Sequence, residues 1–222
     1  MTNGRTNLAM GLLELPREIR DEILSYVLQR SLIMVTMPRT PPFFWAECCA
    51  TQPELCFATK QLRTESLSIF YSTNDFLIDP HFDSALLTAN NWLAAIGQHN
   101  LQHLQHLVLR QLVCVSREQK MSGYRDVRVV FNLWLGTARF AEEWVVEWES
   151  RGLVFGLEAW MHRFRQNFEF RSGMPFTAED LRELVREFRD ICAEHEVPHI
   201  PDPRPPRALV EAAEAAMQRR AG

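Results

Sequence analysis

Three groups of side chains in this sequence have residue types and spacings that chemistry uses. His99, His103 and His106 would share one face of a helix that ran through all three, and imidazoles so placed can hold a transition metal. Gly97 and the apolar run that begins at His106 argue that the helix stops short, which leaves His106 in or beside a strand with no carboxylate or thiolate nearby to complete a ligand set. Cys192, His195 and His199 have the spacing of the second half of a zinc pattern. A structural site needs about four ligands, and no cysteine pair precedes them at a finger-like distance. The third group is aromatic: Trp144, Trp148 and Trp160 could line a small-molecule pocket, although stripes at helical spacing are more simply core. No Gly-rich phosphate loop, nucleophile elbow or paired-His protease motif occurs, and nine glycines leave little material for such loops. The expectation is a protein without catalytic residues, metal or cofactor.

What remains is the stretch Leu12–Leu28, LLELPREIRDEILSYVL, whose chemistry is that of recognition. Pro16 suits the first helical position, where its missing N–H would lack a partner anyway, and Glu18, Asp21 and Glu22 place negative charge toward the helix start. Leu12, Leu15, Ile19, Ile23, Tyr26 and Val27 recur at helical spacing, with Arg17, Glu18, Arg20, Asp21 and Ser25 on the other side. One face is built for burial, in the chain's own core or in a partner.

The elements that must position this helix follow from periodicity. Ser31 to Met37 reads as a short strand ended by prolines, and the aromatic PPFFWAECC after it reads as a loop. Leu55, Ala58, Leu62, Ser66, Ile69 and Phe70 define a helix over Pro53 to Tyr71, and DFLID from Asp75 to Asp79 a short strand. A helix is predicted over Asp83 to Ile96 with Gly97 capping it, and then a strand in HLVLRQLVCV. Strict alternation of Val127, Val129, Phe131, Leu133 and Leu135 predicts a strand over Asp126 to Leu135, with Val130 and Trp134 making its opposite face partly apolar. Phe140, Trp144, Val145 and Trp148 form one helical stripe before Gly152. Leu157, Trp160, Met161, Phe164 and Phe168 form another after Gly156. Thr177 and Asp180 spell a capping box, with Phe176 able to staple onto Leu181, for a helix running to about Glu194. The charges Arg182, Glu183, Arg186, Glu187 and Arg189 form its solvated face. The fold class predicted is α+β: a mostly helical single unit with a few short strands. VPHIPDPRPPR is a connector to a short Ala-rich tail helix.

Composition bounds the rest. The 222 residues, 46% hydrophobic and 23% charged, suffice for one substantial core. A net charge of −4 gives no footprint for nucleic acid, and no apolar run is long enough to span a membrane. Five irregularly spaced cysteines, Cys48, Cys49, Cys56, Cys114 and Cys192, fit reduced thiols in an intracellular protein, cytoplasmic or nuclear.

Three blocks taken in order resemble the fungal F-box-like families: LLELPREIRDEILSYVL, LCFATKQLRTESLSIFYSTNDFLI and NWLAAIGQHNLQHLQHLVL, together covering Leu12 to Leu109. The resemblance implies an F-box-like region over residues 12–80, an α+β region over 81–196 packed on it, and the connector and tail over 197–222. It also implies a partner, the Skp-type adaptor of a cullin-RING ubiquitin ligase. Leu15, Pro16, Ile19 and Ile23 would be its adaptor-facing or module-core positions, and the second half of the chain would select a substrate protein. The chain departs from the family in the strand and Pro-rich loop between the first helix and KQLRTES, and in Thr59 where the family has Cys. An interaction or scaffold protein that has lost the adaptor is the alternative reading, and a small-molecule enzyme the third.

Overall fold

The structure, a computed structural model, describes residues 11–30, 32–36, 52–114, 124–141, 151–171 and 174–196. The loop predicted at PPFFWAECC, the residues Trp144 and Trp148, His199 and the whole tail lie outside these. Among the described residues, six helices and five strands make a mixed α+β unit: α1 (Arg17–Leu28), β1 (Leu32–Met34), α2 (Lys60–Thr73), β2 (Asp75–Ile78), α3 (Asp83–Ile96), α4 (Gln98–Leu101), β3 (His106–Cys114), β4 (Tyr124–Asn132), β5 (Thr137–Phe140), α5 (Arg151–Phe170) and α6 (Ala178–His195). Single 3-10 turns at Leu12–Glu14 and Glu54–Phe57 precede α1 and α2.

The strands lie in one sheet in chain order. β1, β2 and β3 run parallel, with helices filling both crossovers as parallel pairing demands, and β3, β4 and β5 form an antiparallel meander. Directly paired residues point to the same face, so Ile33, Phe76, Leu107, Phe131 and Ala138 form a row across all five strands. Every member of that row is buried. The helices cover this face. Phe76 meets Phe70 and Tyr71 of α2 and Trp92 of α3, while Phe131 meets Trp160 and Phe164 of α5. Phe188 of α6 lies against Trp160, and Trp160 Nε1 donates to Glu187 at 2.9 Å. Each large side chain so buried stabilises by about 1.5–3 kcal/mol, and the row ties both halves of the chain to one core. The opposite face carries ion pairs, Asp126 accepting from Arg110 at 2.9 Å and Arg128 at 2.7 Å. Burial alone would push the Asp126 carboxyl up, but the two guanidiniums outweigh it and hold it below its usual range.

Several expectations need correction. β4 ends at Asn132, because the Asn132 side chain accepts from the backbone N–H groups of Trp134 and Leu135 and turns the chain; Leu133 stays buried but Leu135 is exposed. Phe140 belongs to β5, not to a helical stripe, and Arg165 of α5 donates to the carbonyl of Ala138 in that strand at 2.5 Å. α5 runs unbroken through Gly152 and Gly156. These glycines mark where α6 crosses closely: a Cβ at Gly152 would lie 3.2 Å from the His195 ring, and one at Gly156 3.3 Å from Ile191. The predicted 53–71 helix divides at Thr59, whose hydroxyl caps α2 by accepting from Leu62 N–H at 3.1 Å. The strand predicted over 31–37 is Leu32–Met34. The Thr177–Asp180 capping box forms as read, and Asp180 also accepts from Arg171.

Candidate functional site

Among the described residues, the groups with potential for chemistry are not brought together. His99 and His103 face each other with Gln102 between, whereas His106 lies in β3 with its Nδ1 3.0 Å from Asp75 and its Nε2 3.1 Å from Asn132. Burial, then the neighbouring His99, lowers the His103 pKa. Cys192 is buried, and burial, followed by the charges of Glu196 and Asp79, raises its thiol far above the reactive range. His195 packs on Gly152 with its Nδ1 3.0 Å from the Ile191 carbonyl. Among the described residues no cluster of His, Cys, Asp and Glu is arranged to hold a metal. Trp160 is core, in ring contact with Phe131 and Phe188.

The recognition helix is where sequence and structure diverge most usefully. Two ridges run along α1, each with i, i+4 spacing: Ile19, Ile23, Val27 and Arg20, Leu24, Leu28. Periodicity assigned the first to burial; the structure buries the second. Leu24 and Leu28 enter the core with Ile33. Arg20 enters because Glu65 of α2 waits for it: Nε donates to Glu65 at 3.0 Å and Nη2 at 2.7 Å, a bidentate pair with both side chains under a tenth exposed. The Arg20 guanidinium, with a further bond from Gln61, holds the Glu65 carboxyl down at about 2. The third donor, Nη1, reaches back to the Leu15 carbonyl at 2.5 Å. Asn74 pins the other end of α1, donating to the carbonyls of Leu28 at 3.1 Å and Phe70 at 2.8 Å while accepting from Arg30 N–H at 2.6 Å.

The consequence is an outward apolar stripe. Ile19 is 45% exposed, Ile23 37%, Tyr26 79% and Val27 62%. Pro16 is exposed and Leu15 half-buried, and Pro16 stands as the residue just before the helix instead of its first. So Pro16, Ile19 and Ile23 lie open on the surface beside Leu15. Arg20 and Glu65 were missed as site-forming residues: Arg20 read as a polar-face charge and Glu65 lay off the apolar stripe of its helix, and the sequence signal was that each sits one turn from buried Leu24 or Leu62. No helix among the described residues is long and apolar enough to cross a membrane. Compared with protein-family models, with curated proteins and with solved structures, the chain matches none of them.

Proposed function

We propose that this chain is an F-box-like protein-interaction module that docks on the Skp-type adaptor of a cullin-RING ubiquitin ligase through Leu15, Pro16, Ile19 and Ile23, and that the remainder presents a substrate protein. The observation that supports this reading is the stripe itself: an amphipathic helix fastened to the core by its second ridge leaves Ile19, Ile23, Tyr26 and Val27 facing solvent. Anchors at i and i+4 on a rigid helix are what a partner's groove accepts. Isolated exposed apolar residues are ordinary, whereas a contiguous stripe on a helix marks an interaction site. The reading places the protein in the cytoplasm or nucleus, with no catalytic residue, metal, cofactor or nucleic acid of its own.

Co-purification and calorimetric titration with the recombinant Skp-type adaptor test it. Wild type is expected to bind, and an Ile19→Asp, Ile23→Asp double variant to lose binding while remaining folded, because both positions are solvent-facing and surface changes usually stay within about 0.5 kcal/mol. Failure of the wild type to bind overturns the adaptor role. The second reading, an interaction protein with a different partner, is favoured by β1 lying between the Leu-Pro helix and α2, paired in register with β2. It predicts that the same double variant loses another protein reproducibly captured by the wild type, without ligase subunits.

A further inference from the structure

The proposed docking face has two parts of unequal firmness. Helix α1 is fixed along its length by Leu24 and Leu28 and at its end by Asn74. The Leu12–Glu14 turn before it buries none of its residues, so packing does little to hold it. Its own bonds are local: Glu14 N–H to the Gly11 carbonyl at 2.9 Å, Leu15 N–H to the Leu12 carbonyl at 3.3 Å, and Gly11 N–H to the Glu14 side chain at 3.0 Å. These shape the turn without attaching it to anything. Among the described residues, the side-chain link from this turn to the body of the protein runs through Arg20, whose Nη1 donates to the Leu15 carbonyl at 2.5 Å and lies 3.5 Å from that of Leu13.

Resting on the docking reading, we propose that the buried Arg20–Glu65 pair is a latch that holds the Leu13–Leu15 turn in register with the Ile19–Ile23 stripe. Arg20 and Glu65 are then positioning residues that touch no partner, since their side chains are 9% and 6% exposed. The division of labour follows from the guanidinium, which presents several donors in one plane: two engage Glu65 and orient the group, leaving Nη1 aimed at the turn. A lysine has no such fork. An apolar pair would fill the space and often matches or exceeds a buried ion pair in stability, but it cannot grip a carbonyl. The Glu65 carboxyl held down at about 2 keeps the pair ionised across the physiological range. A turn delivered already ordered avoids an ordering cost on binding, which is why the latch affects affinity more than folding.

Hydrogen exchange on the free protein and titration with the recombinant Skp-type adaptor test this together, using Arg20→Met, Glu65→Leu as the variant that removes the latch without stranding a charge. The variant is expected to unfold cooperatively at a denaturant midpoint close to the wild type's. The Glu14 and Leu15 amides should exchange at least about tenfold faster, and the adaptor Kd should rise about tenfold or more. Arg20→Lys, which keeps the charge pair but not the fork, should move both readouts in the same direction and serves alone if the double variant does not fold. Unchanged exchange at Glu14 and Leu15 in a folded variant overturns the latch; faster exchange with unchanged Kd overturns its role in docking. If the wild type itself fails to bind, the docking reading falls, and exchange alone then decides whether the pair orders the turn.

Discussion

Replacing Asn74 with alanine should destabilise the protein by about 2–4 kcal/mol, although the residue lies outside the proposed docking face. Asn74 is fully buried and makes three close hydrogen bonds, to the carbonyls of Leu28 and Phe70 and from the N–H of Arg30. At a net of about 0.5–1.5 kcal/mol for each, they sum to about 1.5–4.5 kcal/mol, and the upper part of that range applies because the orphaned backbone groups stay away from water. For a chain of this size the melting temperature should fall by roughly 5–15 °C. Urea denaturation followed by far-ultraviolet circular dichroism measures the loss, with an unchanged m-value showing that the comparison is between like states. Asn74→Asp sharpens the logic. Its carboxylate would keep the bond from Arg30 but face two carbonyl oxygens, which raises its folded-state pKa above the unfolded value. Stability is then retained at low pH, where the carboxyl is protonated and can donate, and is lost as pH rises through the folded pKa. An Ala variant within about 0.5 kcal/mol of wild type, or an Asp variant whose deficit does not grow with pH, would refute the view that this side chain joins α1, α2 and the entry to β1.

Two further predictions follow from the same kind of reading. Gly136→Ala should cost more than Gly97→Ala: both glycines have positive φ, 63° and 76°, but a Cβ at Gly136 would fall 2.0 Å from the Phe168 ring whereas Gly97 opens on space. Strain alone gives about 1–3 kcal/mol at Gly97, with about 1–3 kcal/mol of overpacking added at Gly136, and equal denaturation midpoints would count against it. Acid titration supplies the other. Arg20 holds the Glu65 carboxyl at about 2 from an ordinary 4.5; at Asp180 burial pushes up, but Arg171 and Thr177 outweigh it and also bring the group to about 2. Because both folded-state values are depressed, the stability they contribute is present above the ordinary carboxylate range and lost as pH falls toward 2. Glu65→Gln should flatten that loss in the stability-against-pH curve, and an unaltered acid limb would contradict the assignment.

What the sequence made legible was local. Thr177 and Asp180 sit three residues apart before an apolar run, and a capping box follows from that alone; Val127, Val129 and Phe131 alternate and do form the inner face of β4. Long-range partners were illegible. α1 offers two ridges of equal spacing, and the choice between them depends on a glutamate 45 residues away, which reverses the face that hydrophobicity would bury. Gly152 and Gly156 looked like helix ends because their reason for being glycine, the crossing of α6, lies in another segment. β5 was invisible for being four residues of mixed character that become a strand only beside β4.

The bond from Arg165 to Ala138 has a bearing on how copies of this protein meet. Ala141 N–H donates to the Arg128 carbonyl, so in the β4–β5 ladder the pairs that exchange hydrogen bonds are Arg128 with Ala141, Val130 with Arg139 and Asn132 with Thr137. Ala138, opposite Phe131, falls between them and turns its carbonyl away from β4 toward the open side of the sheet. That acceptor is occupied within the molecule by Arg165. An incoming strand finds a margin only four residues long with its central acceptor taken, and β1 at the far margin has three residues. Open sheet margins are where folded proteins recruit one another into aggregates. With both margins short and one of them capped by Arg165, the described residues leave an incoming strand little edge to extend, on a molecule that also carries exposed Ile19, Ile23 and Tyr26.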